Sequence, residues 1–338
     1  MSRSSYNPFI SFFRVLLILL VVVQHCMMSP LDVASPALYP HFMGLMDFIS
    51  RFLQPGPVAT GLFFALSGYL FFHSFPIVWR EKYRSRLYTL LIPYLLWNLY
   101  ALLLYAGGQA AGLFPARFLP FGQMDGWGWL SLFTSNPVNG PLWFLRDLIL
   151  LALVSPLISL MRRGGYLWPL ALLLLNGWLD NHYLQALLFY WIGAATTFSP
   201  ERYKPAMGPL FWGSAALYIA CCMLFPPIGY GANLVGSLQL LALMGLTFVA
   251  ARVLYGTSLS RLSGVGGAAV LFVYGLHGPL CRGAIKLFVT TAPAAPDFVY
   301  ILFFILLPIV MALLSFGLYR LSCRCFPALT RLLTGGRS

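Results

Sequence analysis

Acidic side chains are scarce in this chain. Its 338 residues include eight Asp and Glu against twenty-one Lys and Arg, and charged residues of both signs make up 9%. Soluble domains carry about 25%, so an ordinary water-facing surface is excluded. Cysteines in metal-ligand or redox spacing are also lacking. Cys26, Cys221, Cys222, Cys281, Cys323 and Cys325 form no such pattern, and five of them lie in apolar or near-terminal helical stretches where a thiol acts as a small hydrophobe. No metal site is expected. There is no internal repeat, no low-complexity tract and no stretch polar enough for a separate soluble domain, so 1–338 reads as one integral membrane domain. A cleavable leader is not expected either, because the first apolar run is too long and has no small-residue cleavage site. The net charge of +13 comes from basic residues scattered in short loops. That pattern speaks for membrane topology and against nucleic acid.

What the chain has is apolar length. It is 60% hydrophobic with mean hydropathy +0.81. Ten apolar segments are expected as spanning helices, at 9–29, 57–78, 87–107, 142–161, 166–180, 183–198, 207–225, 234–254, 266–289 and 298–322. The fold class is therefore all-α, a polytopic membrane helix bundle. The fifth and sixth segments are short and joined by Asp180, Asn181 and His182, which suits tilted helices or a re-entrant pair. With the N-terminus in the cytoplasm, fifteen basic residues fall inside: Arg3, Arg80, Lys82, Arg84, Arg86, Arg162, Arg163, Arg202, Lys204, Arg252, Arg261, Arg320, Arg324, Arg331 and Arg337. Only Arg51, Arg117, Arg146, Arg282 and Lys286 fall outside. The positive-inside rule then places both termini in the cytoplasm.

The first apolar run holds one arginine, Arg14, and one histidine, His25. Eleven residues at about 100° each come to three turns plus about 20°, so both point to one side, about 16 Å apart along the axis. Each alone has a plain structural explanation: Arg14 can snorkel to the headgroups, and His25 can be a neutral histidine bonded to backbone. Two ionisable groups on one stripe of a spanning helix point to a functional site. On the orientation above, Arg14 is cytoplasmic and His25 lies toward the outside.

Other polar residues stand out against the apolar background. Ser67 and Gly68 offer a close helix approach, and Tyr69 brings a hydroxyl. Arg84 and Arg86, leading into the third segment, suit either topology or a phosphate grip near a helix N-terminus. In the fourth segment, Arg146 and Asp147 are adjacent, and neighbours on a helix do not face each other. Each is expected to have another partner, and for Asp147 the hypothesis is His25, whose second ring nitrogen a carboxylate would hold. His277 lies near mid-membrane, and Pro279 beside it frees a backbone group that needs a partner. The outer loops 30–56 (Asp32, His41, Asp47, Arg51) and 108–141 (Phe114, Phe118, Trp127, Trp129) are long enough to cover something. Their aromatics suit a headgroup belt or stacking on a sugar.

At these residues the chain resembles the acyltransferase-3 family of integral membrane acyltransferases. Arg14 and His25 match its Arg, ten residues, His signature. Phe63 to Leu70 match its second-helix block, and Arg84 and Arg86 with Pro93 and Tyr94 match the block before the third helix. Leu142 to Leu145 with Asp147 match the fourth-helix block, and Tyr274 to Pro279 with His277 match a late-helix histidine block. Many members carry a Glu-containing sequence after the fourth-block tryptophan, where this chain has Arg146, Asp147, Leu148 and Ile149, as in the shorter branch. Some carry a fused SGNH-type domain; this chain ends shortly after its last segment, so such a partner is expected to be separate or unnecessary.

The resemblance implies an O-acyltransferase of a bacterial inner membrane, moving an acetyl group from cytoplasmic acetyl-CoA to a hydroxyl of a surface glycan or its lipid-linked precursor. It implies His25 as the catalytic base; Asp147 joins it as a catalytic candidate from the reading of the residues above, not from the family's glutamate. Arg14, Arg84, Arg86, Ser67, Tyr69, Trp143, Arg146 and His277 would bind substrates. No cofactor is held permanently; acyl-CoA is a donor substrate. The other partners are the glycan or glycolipid acceptor and membrane lipid, with homo-oligomers allowed. The alternative is a multi-pass exporter of a polysaccharide or small molecule with an intramembrane His/Asp/Arg relay.

Overall fold

The computed structural model describes residues 7–28, 36–73, 77–112, 125–165, 167–198, 206–224 and 234–336, and among these all regular structure is helical. The expectations for Arg3, Asp32, Phe114, Arg117, Phe118, Arg202, Lys204 and Arg337 fall outside these residues. The helices in order are α1 (Pro8–Cys26), α2 (Pro40–Phe48), α3 (Pro55–Phe72), α4 (Trp79–Arg86), α5 (Ile92–Ala110), α6 (Gly126–Thr134), α7 (Trp143–Leu160), α8 (Leu167–Leu179), α9 (His182–Phe198), α10 (Met207–Leu224), α11 (Leu234–Tyr255), α12 (Gly267–Thr291), α13 (Asp297–Cys325) and α14 (Pro327–Leu333).

Seven described stretches are long and apolar enough to cross a membrane: Pro8–Cys26, Pro40–Phe72, Trp79–Ala110, Gly140–Leu160, Leu234–Tyr255, Gly267–Thr291 and Asp297–Cys325. The other three expected segments form α8, α9 and α10. With 13 residues, α8 rises only about 20 Å, short of the ~30 Å hydrocarbon core. The lipid-facing side is plain on α13, where Leu302, Ile305, Ile309 and Leu313 are all exposed along one stripe. A soluble surface does not present such a stripe.

Three stretches read as loops are helical. Residues 40–53 form α2 and a π-helical turn, Ile49–Leu53, running up to α3. The start of α2 is tied to α13, because the Asp297 carboxylate accepts from the backbone N–H groups of His41 and Phe42, each at 3.0 Å. Residues 126–134, with Trp127 and Trp129, form α6, capped by the Asp125 carboxylate. The basic stretch before the third segment is α4, which continues through the π-helical turn Leu87–Leu91 into α5. Arg84 and Arg86 therefore lie at the end of α4 and not at a helix N-terminus.

At the centre is α1. Asn7 caps it, its side-chain oxygen accepting from the N–H groups of Phe9 and Ile10, and Pro8 occupies the first turn, where its missing donor does no harm. The helix packs on α3, α11, α12, α13 and the 3-10 segment Ser258–Gly264. The most extensive helix pair is α3 with α9, and glycine makes it possible. A Cβ on Gly193 would sit 1.7 Å from the Ala65 carbonyl oxygen, and one on Gly68 would sit 2.0 Å from that of Tyr190. Only backbones without side chains can come that close. The close approach expected at Gly68 is therefore present, with α9 as its partner. Cysteines with no pattern in the sequence also meet: the Cys26 and Cys281 sulfurs are 3.4 Å apart and buried between α1 and α12.

Pro279 shows how sequence places the site. Lacking an N–H, it leaves the carbonyl of Gly275, one turn back, without its helical donor. The Asn139 side-chain amide donates to that carbonyl at 2.7 Å, and the Tyr274 hydroxyl donates to the Pro141 carbonyl. Between them these bonds dock the entry of α7 on the middle of α12. The freed backbone group expected at Pro279 thus finds a buried polar partner.

Candidate active site

One stripe of α1 lines two cavities. Arg14 and Ile18 face a small one of about 130 Å³, and Val21 and His25 face a large one of about 810 Å³. The positions advance by four, three and four residues, which is the helical repeat, so the expected shared face of Arg14 and His25 is present.

The small cavity brings together Arg14, Ser67, Arg86 and Tyr190, walled by Phe63, Phe144, Leu145 and Tyr274. Neither Arg14 nor Arg86 has a carboxylate within ion-pair distance among the described residues. Two unneutralised guanidiniums at one site in an apolar bundle suit an anion. Arg86 also lies over the Phe71 ring, 5.1 Å from its centre. Arg84 does not join it, because two residues further along a helix is a turn of about 200°, and its side chain is exposed. Tyr69 is likewise turned away from Ser67 by two positions; it lines neither cavity, and its ring centre lies 5.0 Å from that of His73.

The large cavity is lined by Gln24, His25, Thr60, Trp143, Arg146, Asp180, His182 and Gln185, with Ser135 to Pro137 closing one side. Its volume lies in the ~300–1,000 Å³ range of ligand pockets. Residues 135–137, from the second long loop, do cover something, though the lining portion is short.

Asp147 departs from expectation. It is 1% exposed, and one carboxylate oxygen accepts from the adjacent Arg146, at 2.8 Å from Nε. The long arginine side chain curls back where helix geometry alone would part the two. Nη2 of Arg146 lies 2.8 Å from the same carboxylate oxygen, and Nη1 donates to the backbone oxygens of Ser135 and Thr134, so the pair fastens the cavity wall. The other oxygen of Asp147 lies 3.8 Å from Nε2 of His182. His25 is not among the ion-pair partners of Asp147. Its ring neighbour is His277, with centroids 4.8 Å apart and planes at 66°.

Sequence reasoning missed Tyr190 and His182. Tyr190 looks like any aromatic of an apolar helix; its hydroxyl bonds Ser155 at 3.1 Å. His182 stood in the Asp180–His182 joint, where a cluster of polar residues at the end of an apolar segment was the available signal.

An aromatic cluster at the small cavity reaches the lining of the large one through Trp143, whose ring centre is 6.3 Å from that of Phe144. Phe144 packs on Phe64 at 4.6 Å, Phe63 at 5.8 Å and Tyr274 at 6.0 Å between ring centres.

Comparison with known proteins places this arrangement in context. A family model described as an acyltransferase domain matches residues 7–320. The succinoglycan biosynthesis protein ExoH of Rhizobium meliloti is 31% identical over 163 residues, which is 45% of this chain and 42% of that protein. The match thus spans less than half the length of that curated relative. No solved structure matches.

Proposed function

The chain belongs to the acyltransferase-3 family, and on that premise we propose an integral membrane O-acyltransferase that takes an acetyl group from cytoplasmic acetyl-CoA and places it on a hydroxyl of a cell-surface glycan or its lipid-linked precursor. The observation that carries this reading is the α1 stripe. It joins a site with two arginines that have no carboxylate partner among the described residues to a ligand-sized cavity holding His25. The name of the succinoglycan relative supports a polysaccharide acceptor. The membrane is the bacterial inner membrane, with both termini in the cytoplasm. Arg252 supports that orientation: it lies over Phe9, 4.8 Å from the ring centre, at the Arg14 end of α1.

Arg14 and Arg86 bind phosphate of the donor. Their cavity is smaller than a whole-ligand pocket, so the nucleotide stays on the cytoplasmic side while the pantetheine arm runs along α1. His25 takes the proton of the acceptor hydroxyl, and the oxygen attacks the thioester carbonyl. The tetrahedral intermediate collapses with loss of the CoA thiolate, which takes the proton from His25. Trp143 offers the acceptor a stacking face, and the pair of Asp147 and Arg146 holds the wall beside it.

The test supplies membranes with radiolabelled acetyl-CoA and extracted envelope glycolipid. Label enters the glycan with the intact protein and falls to background with His25→Ala at equal expression. Undiminished label in His25→Ala removes His25 from catalysis, and transport of unmodified glycan without labelling moves the exporter reading ahead.

A further inference from the structure

The group behind His25 is another histidine, and its protonation is fixed by geometry. His277 is completely buried in the middle of α12 and does not line the large cavity. Its Nδ1 lies 2.8 Å from the carbonyl oxygen of Tyr274 and 3.1 Å from that of Val273. Carbonyls only accept, so Nδ1 carries the proton, and in the neutral ring Nε2 carries the lone pair. That Nε2 is fully enclosed and has no hydrogen-bond partner among the described residues. An enclosed acceptor left unpaired is destabilising by about 1–3 kcal/mol, and such groups call for an explanation. The ring of His25 lies beside the His277 ring, with centres 4.8 Å apart, and His25 also lines the large cavity.

We infer that His277 is the positioning residue of His25, its Nε2 accepting the N–H of the His25 ring in the reactive state. The ring torsion of a histidine is soft, and a turn of the His25 ring sets its N–H on that nitrogen. The opposite nitrogen of His25 then presents its lone pair to the cavity. It takes the acceptor hydroxyl proton as the O–C bond forms and returns it to the departing thiolate, while the proton shared with His277 stays in place. A neutral histidine thus does what a carboxylate does in other dyads. This rests on the reading of His25 as the base.

The experiment compares purified wild type, His25→Ala, His277→Asn and His277→Gln in lipid vesicles with labelled acetyl-CoA and glycolipid acceptor. Asn keeps an amide N–H for the Tyr274 and Val273 carbonyls but leaves the Nε2 position empty; Gln reaches that position with an acceptor oxygen. The expected result for His277→Asn is a fall in kcat of about 100-fold, the low end of what a positioned acid–base group contributes, with KM for both substrates within about twofold. His277→Gln is expected to recover at least tenfold of that loss. Unaltered kcat in His277→Asn, or equal losses in both variants at equal thermal stability, overturns the inference while His25→Ala remains inactive. Activity in His25→Ala overturns the underlying reading instead.

Discussion

At the scale of single residues, the two cations that share the small cavity are separable by mutation from one that does not. A charge-assisted hydrogen bond is worth about 1.5–3 kcal/mol, and about 1.4 kcal/mol is tenfold in binding. Arg14→Ala and Arg86→Ala are each expected to raise KM for acetyl-CoA about tenfold or more with kcat nearly unchanged. Arg84→Ala, whose side chain is exposed, is expected to leave KM within twofold. Steady-state kinetics on the three variants checks this, and equal effects of Arg84→Ala and Arg86→Ala dispose of the assignment. In the sequence these two arginines look equivalent; the about 200° between them decides which one faces inward. Asp147 was legible as an unusual buried carboxylate. Its pairing with Arg146 was not, because a rule about backbone neighbours does not count the reach of an arginine side chain.

At the scale of elements, helix identity follows from apolar length, but helix contact follows from small residues. Gly193→Ala would place a Cβ 1.7 Å from the Ala65 carbonyl oxygen. Backbone cannot yield as a side-chain tip can, so the α3–α9 pair must part. Overpacking of this kind commonly costs about 1–3 kcal/mol. A lower Tm in detergent is expected for Gly193→Ala. No change is expected for Gly213→Ala, where a Cβ meets nothing within 4 Å. Similar Tm values for the two variants would refute a tight seam. Half of this seam was readable as Ser67 and Gly68; its partner on α9 was not, since the contact joins residues far apart in sequence. The boundaries of α2, α4 and α6 were missed for another reason. They are helices of only eight or nine residues, too short for the apolar repeat to register, and the tie of α2 to Asp297 comes from elsewhere in the chain.

At the scale of the molecule, the two cavities must communicate for an acyl group to reach His25, and Phe144 lines the small one while packing on Trp143 of the large one. A methylene in an apolar passage is worth about 1–3 kcal/mol of discrimination. Phe144→Leu is expected to raise kcat/KM for butyryl-CoA relative to acetyl-CoA about tenfold, with acetyl transfer retained. Competition between the two donors measures it. An unchanged ratio would mean that the acyl group reaches His25 by a route that avoids Phe144.

The sequence by itself determined the membrane-embedded, all-helical class, and the stripe that carries Arg14 and His25. It also marked Pro279 as freeing a carbonyl that needs a partner. These are local properties: apolar run length, a helical repeat of 3.6 residues and a missing N–H act within one segment and are read there. Only the tertiary structure decided that Arg86 and not Arg84 joins Arg14, and that His277 and not Asp147 stands behind His25. It also decided that Asn139 answers Pro279 and that Phe144 of the small cavity packs on Trp143 of the large one. Each of these is a meeting of distant segments. Such meetings depend on how near two backbones come and how far a side chain reaches, and neither is written in the periodicity of one helix.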